Sequence, residues 1–192
     1  MPERNQPALD FLLSRRSRPA KTLSGPAPDK AALEVILTAA ARTPDHGKLE
    51  PWRFVVVQGD ALKRLATLAA ERGAVLGKDA GDIAKAVDQF DRSPLAVAVV
   101  ECPVEHEKIP AIEMTYSAGA VCLSLLNGAL AAGWGANWLS GWAAYDRAFV
   151  EQGLGLTASE SIAGFIHIGT ETSVPPDRPR PDLTEKVTWV SL

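Results

Sequence analysis

A basic run near the N-terminus, Arg15-Arg16-Ser17-Arg18, carries the side-chain types that suit a phosphate group. Guanidinium groups offer paired N–H donors to phosphate oxygens, and a serine hydroxyl adds a further donor. The end of a short solvated helix has the same composition, because cations are favoured at helix C-termini. The run therefore leaves two interpretations open, a phosphate-binding segment and a solvated helix end.

A second segment, residues 42–54 (RTPDHGKLEPWRF), joins the end of a predicted helix to a buried strand through a polar loop. It brings Arg42, His46 and Lys48 close together along the chain. A turn beside a packed tryptophan would account for the same pattern. Further along, residues 133–141 (GWGANWLSG) read as a short Gly-rich strand that runs into a loop.

Motifs for several common chemistries are missing from the sequence. It has no GxxxxGK[ST] phosphate loop, no GxGxxG after a strand and no GxSxG nucleophile elbow. His106-Glu107 begins like HExxH, but Pro110 stands where the second zinc ligand would be. A chain with so few acids, bases and nucleophiles in recognisable patterns would rely on an organic cofactor. We therefore assign no catalytic side chain and no metal site.

Composition narrows the class of protein. A chain of 192 residues with 46% hydrophobic and 22% charged residues fits one globular domain. A net charge of −3 argues against a nucleic-acid or membrane-surface partner. Cys102 and Cys122 are predicted to be buried free thiols of a reducing compartment, which favours the cytoplasm, and no signal peptide is visible. The apolar residues 116–138 are predicted to form a helix buried on all sides rather than a membrane span.

The elements that would position these segments follow from apolar spacing. Helices are predicted over residues 7–14, 30–42, 61–72, 75–92, 111–132 and 145–152, and strands over residues 52–57, 94–101, 134–138 and 161–168. Asp29 is the expected N-cap of the second helix, and Gly133 the expected C-cap of the long one. Helices and strands interleave, which indicates an α+β or α/β domain with one sheet between helices. From residue 171 the chain is Pro-rich and is expected to be an extended arm.

Taken in order, these segments resemble the nitroreductase family, and more narrowly its YdjA-like branch of NAD(P)H nitroreductases. The matching segments lie at residues 15–17, 42–54, 106–119, 133–141 and 164–169, within a stretch that covers residues 9–190. The resemblance implies an α+β three-layer sandwich in which helices flank a central mixed, mostly antiparallel sheet. It also implies a single FMN-binding domain over residues 1–192, whose C-terminal arm, residues 170–192, is exchanged in a homodimer.

The resemblance further implies an oxidoreductase that holds FMN at the dimer interface and uses NAD(P)H as co-substrate. A ping-pong cycle would pass hydride to a nitroaromatic, a quinone or another small oxidised acceptor. Two alternatives remain open from the residues alone. One is a flavin-binding carrier or sensor without useful turnover, and the other is a specialised flavin chemistry on the same fold.

The phosphate and ribityl chain of FMN are assigned by the resemblance to Arg15, Arg16 and Ser17. Arg180, on the C-terminal arm, resembles an arginine that reaches the same phosphate. The loop beside the isoalloxazine ring corresponds to Trp138, Leu139 and Ser140, with backbone N–H groups near Ser140 directed at the ring edge.

Arg42 and His46 match two further flavin contacts, and His46 is expected to reach the FMN of the partner subunit. Where the wider family has Ser, Asn and Gln before Pro-Trp, this chain has Asp45, Lys48 and Glu50. Lys48 takes the place of an asparagine that meets the pyrimidine edge of flavin. Arg42 or Lys48 is the candidate cation for stabilising anionic reduced flavin.

Overall fold

Antiparallel strands form one five-stranded sheet in the computed structural model, which describes residues 3–191. The strands are β1 (Leu23–Ser24), β2 (Trp52–Gln58), β3 (Leu95–Glu101), β4 (Gly135–Leu139) and β5 (Ser161–Glu171). β5 pairs with β3 along one edge, with β4 and then β1 along the other, and β2 pairs with the outer edge of β3. Met1, Pro2 and Leu192, the ends of the predicted domain, lie outside the described residues.

Helices connect the strands close to the predicted positions. They are α1 (Gln6–Ser14), α2 (Lys30–Ala40), α3 (Asp60–Val75), α4 (Ala80–Asp91), α5 (Ala111–Ala131), α6 (Arg147–Leu154) and α7 (Leu183–Lys186). Asp29 caps α2 by accepting a hydrogen bond from the Ala32 N–H, as predicted. Gly133 adopts φ +86° just after α5, a conformation that glycine takes without a Cβ clash, and so supports its predicted role in ending the helix.

The two faces of the sheet bury separate cores. α3, α4 and α6 cover one face around Phe90, Phe149 and Phe165. α2 and α5 cover the other face around Ile36 and Ile166 among others. Side chains of neighbouring β5 residues point to opposite faces, so β5 contributes to both cores. This arrangement confirms the predicted α+β sandwich.

The long helix α5 differs from its prediction. Met114, Val121 and Leu125 are buried in the domain, but Tyr116 and Leu123 are exposed. The prediction that this helix is buried on all sides is therefore wrong for the single chain, because only one face meets the sheet and α2. Its length and apolar composition would also suit a membrane span, but its buried face packs as the core helix of this domain.

Two short elements and one boundary were not predicted. β1 is only two residues long, and α7 is a single turn in the arm, so neither has a periodic pattern to detect. The predicted helix 75–92 begins at Ala80, because the chain turns at Gly77, which has φ +63°. Residues 172–182 have no helix or strand and are almost entirely exposed, in keeping with the predicted extended arm.

Candidate functional site

The basic N-terminal run lines a cleft of about 470 Å³, here called the arginine cavity. Its walls are Arg15, Arg16, Ser17, Pro19, Asn137, Trp138, Arg178 and Arg180. The cavity therefore joins the end of α1, the strand β4 and the C-terminal arm. Five of the predicted site residues come together here, namely Arg15, Arg16, Ser17, Trp138 and Arg180, although the first and the last lie 165 positions apart in the sequence.

Backbone and side-chain bonds hold the arginine run against the sheet. The Arg18 N–H donates to the Ala136 carbonyl oxygen at 2.8 Å, and the Asn137 side-chain amide donates to the Arg18 carbonyl oxygen. The Arg18 guanidinium also lies 3.2 Å from the Glu171 carboxylate on β5. Because Arg18 is anchored in this way, the preceding residues Arg15 and Arg16 are fixed at the cavity wall.

The charges in the arginine cavity are not neutralised by its own walls. Four arginines line it and no carboxylate does. Arg15 Nη2 lies 3.1 Å from Ser17 Oγ, but Arg15 Nε and Arg16 Nη1 are buried without a hydrogen-bond partner among the described residues. Burial, and then the like charge of Arg180, lower the pKa of Arg15. Buried N–H donors without acceptors are costly, so this wall is prepared for an anion.

A second cleft of about 430 Å³, here called the loop cavity, opens beside the end of β4. Its walls are Ala20, Lys21, Lys85, Asp88, Gln89, Arg92, Ser93, Leu139, Ser140, Gly141 and His167. The two cavities use adjacent stretches of the same two segments, residues 15–21 and 137–141. Leu139 and Ser140, which were predicted to face the ring of a flavin, lie in this second cavity.

Several residues of the loop cavity were not selected from the sequence. Lys85, Asp88, Gln89 and Arg92 form one polar side of α4 at spacings of three and four residues. Such a stripe is also typical of a solvated helix face, so it carried no specific signal. In the structure this stripe is one wall of the loop cavity, and Ser140 and Gly141 belong to another wall.

The remaining predicted residues, Arg42, His46 and Lys48, line neither of these cavities. They belong to the loop between α2 and β2, which packs on α5. The buried Ser117 hydroxyl donates to the Pro44 carbonyl oxygen at 3.1 Å and accepts from Trp52 Nε1 at 3.2 Å. The loop is thus held firmly, but within one chain it does not meet the arginine run.

His46 lies in a third, more open cleft of about 360 Å³ beside the exposed face of α5. Its walls are Pro44, Asp45, His46, Glu113, Tyr116, Ser117 and Ala120. His46 Nδ1 is 2.7 Å from Glu113 Oε2, so the carboxylate orients the imidazole and leaves Nε2 free to contact another group. Glu113 lies in the matching segment 106–119, but its contact with His46 could not be predicted because it depends on the tertiary structure.

The backbone of the same loop is strained at two non-glycine residues. Lys48 has φ +56° and Glu50 has φ +47°, in the left-handed region that side chains with a Cβ disfavour. The Asp45 carboxylate stabilises this course by accepting a hydrogen bond from the Glu50 N–H at 3.0 Å. Asp45 therefore supports the loop conformation that presents His46 and Lys48 at the surface.

Most of the chain matches the model of one protein family. Residues 12–170 match the model of the nitroreductase family. The chain is 34% identical over 182 residues to a protein of Escherichia coli (strain K12) named "Putative NAD(P)H nitroreductase YdjA". The aligned residues make up 92% of this chain and 98% of that relative.

Solved structures show the same fold. A nitroreductase-like family protein from Bacillus cereus superposes with a TM-score of 0.80 at 26% identity, over 99% of this chain and 98% of that one. A nitroreductase from Desulfovibrio desulfuricans, solved in complex with FMN, superposes with a TM-score of 0.75 at 21% identity, over 100% of this chain and 99% of that one.

Proposed function

The chain belongs to the nitroreductase family, and we propose that it carries hydride from NAD(P)H, by way of bound FMN, to a small oxidised acceptor such as a quinone or a nitroaromatic. It is an NAD(P)H-dependent flavin oxidoreductase with FMN as its cofactor. The observation that carries the assignment of the site is the pair of buried, unpartnered guanidinium nitrogens in the arginine cavity.

The arginine cavity fits the phosphate of FMN. A phosphate monoester carries up to two negative charges and several acceptor oxygens, and guanidinium forks match that geometry. Arg15, Arg16 and Ser17 would hold it from α1, and Arg180 would close over it from the arm. The phosphate would then satisfy the donors that the protein alone leaves without acceptors.

The loop cavity is the proposed seat of the ring end of FMN. It adjoins the arginine cavity along residues 15–21 and 137–141, so an elongated ligand would cross from one to the other. When bound, FMN would supply the redox chemistry. Leu139 would contact the ring, and N–H groups near Ser140 would donate to its polar edge. Lys21 and Lys85 would favour a reduced, anionic ring, because positive charge stabilises it.

A homodimer would complete this site. Arg42, His46 and Lys48 lie apart from both cavities in one chain, and His46 lies beside the exposed face of α5. An apolar helix face of this kind is typical of a subunit interface. If a second copy covers it, the loop that carries His46 reaches the partner's FMN, and the arm beyond residue 170 wraps the other subunit.

Purified protein tests the proposal directly. We expect it to bind FMN in a yellow complex, and the flavin absorbance to bleach when NADH or NADPH is added without oxygen. Subsequent addition of a quinone or a nitroaromatic should restore the colour. Bound flavin that neither nucleotide bleaches would instead identify a carrier or sensor, and protein that binds no FMN would contradict the proposal.

A paired substitution localises the phosphate site. Replacing Arg16 by Met removes a guanidinium whose Nη1 is buried without a partner, so we expect FMN affinity to fall by roughly tenfold or more, since a hydrogen bond to a charged group contributes about 1.5–3 kcal/mol. Lys30→Met removes one positive charge from an exposed position on α2 and serves as the control. Equal loss of affinity in both variants would show that net charge, rather than the arginine cavity, determines binding.

A further inference from the structure

The walls of the loop cavity include two polar side chains with unused hydrogen-bonding atoms. His167, on β5, is 1% exposed, and Gln89, on α4, lies opposite the 139–141 segment. His167 Nε2 and Gln89 Nε2 are both buried, and neither has a partner among the described residues. Both side chains line the cavity, and neither has a role in the binding of phosphate.

The two contacts of the Ser93 hydroxyl favour one tautomer of the neutral His167 ring. Ser93 Oγ donates its single hydrogen to the Leu95 carbonyl oxygen at 3.0 Å. Ser93 Oγ also lies 2.8 Å from His167 Nδ1, and while its hydrogen is directed at the Leu95 carbonyl, it can only accept from Nδ1–H. A neutral His167 is therefore held in one tautomer, which leaves Nε2 with a lone pair that can only accept.

Burial keeps the ring in that neutral form, because it lowers the pKa of His167 to about 4. The floor of the cavity thus offers an acceptor at His167 Nε2 and a donor at the Gln89 amide. Leaving both unpaired is costly, so the group that fits them presents an N–H next to a carbonyl oxygen. Both the pyrimidine ring of a flavin and the carboxamide of a nicotinamide have this pair.

We propose that His167 and Gln89 bind the imide edge of the flavin ring, whose N3–H donates to His167 Nε2 while a neighbouring carbonyl accepts from Gln89. This inference rests on the proposed function. The flavin is preferred over nicotinamide because neighbouring residues of the segments 15–21 and 137–141 line both this cavity and the arginine cavity, where the phosphate of the same ligand is proposed to bind. His167 and Gln89 would then be positioning residues that fix the ring.

The test compares FMN with N3-methyl-FMN, in which a methyl group replaces the donating hydrogen. Dissociation constants for the apoprotein come from quenching of flavin fluorescence. We expect the wild-type protein to bind N3-methyl-FMN about tenfold more weakly or worse, the effect of one unpaired buried group. In His167→Phe the difference between the two flavins should largely disappear, while His106→Phe, which changes a histidine of the exposed 103–110 loop, should retain it.

The comparison of two flavins on the wild-type protein needs no variant to fold. Equal affinity for FMN and N3-methyl-FMN would overturn the inference while leaving the proposed function intact. If the wild-type protein binds both flavins equally and His167→Phe needs more NADH to reach saturation, His167 would contact the nicotinamide carboxamide instead. That result would also overturn the inference. Failure to bind either flavin would contradict the proposed function itself.

Discussion

The Glu160 carboxylate links two segments that are far apart in the sequence through hydrogen bonds. It accepts from Arg53 Nε at 2.6 Å and from Arg53 Nη2 at 2.9 Å, and from the Thr157 N–H at 2.8 Å. The Arg53 hydrogen bonds lower the pKa of Glu160 to about 2. This pair joins β2 to the turn before β5, so it fixes the edge of the sheet far from the arginine cavity.

Glu160→Gln should lower the free energy of unfolding at pH 7 by roughly 1–2 kcal/mol, because the charge-assisted bonds to Arg53 are lost. The pKa of Glu160 is depressed in the folded protein, so its contribution is present above the unfolded value, about 4.3, and is lost as pH falls towards 2. Urea unfolding at pH 7 and between pH 5 and 2.5 measures both effects.

Glu151→Gln is the matched control for this substitution. Glu151 pairs with Arg147 one helical turn away in α6, and both side chains are more than 40% exposed. Exposed pairs of this kind contribute little, so the control should be nearly neutral. A similar loss of stability in both variants would contradict the special role given to Glu160.

The lowered pKa of His167 leads us to predict a second effect of pH on stability, in a higher pH range than that of Glu160. Its folded pKa of about 4 lies below the unfolded value of about 6.5, so the unfolded chain binds the extra proton first. The free energy of unfolding of the apoprotein should therefore fall as pH drops from 6.5 towards 4, by at most about 1.4 kcal/mol per pH unit. Denaturant titrations at pH 7.5, 6 and 5 should show this slope in the wild type and a smaller one in His167→Phe. The same slope in both would contradict the assignment.

At the scale of elements, the contact between β4 and β5 shapes the arginine cavity. Trp138 on β4 lies directly over Gly164 on β5, so closely that a Cβ at residue 164 would overlap the indole. Trp138 in turn forms one wall of the cavity. The absence of a side chain at Gly164 thus sets the position of a proposed flavin contact on a neighbouring strand.

Gly164→Ala should displace Trp138 and weaken FMN binding several-fold, while the sheet itself persists. The shift would appear in the tryptophan emission spectrum and in the dissociation constant for FMN. Gly25→Ala is the control, because Gly25 is exposed and, apart from its chain neighbours, no described atom lies within 4 Å of the Cβ it would add. Unchanged FMN affinity in Gly164→Ala would show that the position of Trp138 does not matter for the cofactor.

At the scale of the whole molecule, the face of α5 that the sheet and α2 do not cover leaves apolar side chains exposed to solvent in a single chain. Tyr116, Ala120 and Leu123 follow one another at spacings of four and three residues, so they lie on one helix face. The same face borders His46. The proposed dimer would cover this surface and bring the loop of one subunit to the cavities of the other.

Leu123→Glu should dissociate the proposed dimer, because it places a charge in the middle of the apolar face. We expect sedimentation velocity to show a monomer, and FMN affinity to fall, since Arg42 and His46 would no longer reach the partner's site. Val75→Glu, an exposed position at the end of α3, should leave both properties unchanged. A wild-type protein that is already monomeric would contradict the dimer, and a Leu123→Glu dimer would place the interface elsewhere.

Much of the fold could be predicted from the sequence because its signals are local. Apolar periodicity placed α2, α5 and β3 within a few residues, and Asp29 and Gly133 marked helix ends through their own chemistry. Arg15, Arg16 and Ser17 could also be selected as candidates for binding phosphate, because the arginine run is contiguous along the chain.

Only the tertiary structure decided how distant residues share a cavity. It joined Arg180 to Arg15 and Arg16, and it placed the polar stripe of α4 opposite Ser140, because the sheet order brings β4 beside β5. It also separated His46 from these cavities within one chain. Burial and unpaired hydrogen-bonding atoms depend on such contacts, so the sequence does not single out His167, whereas in the structure its Nε2 is buried without a partner among the described residues and its side chain lines the loop cavity.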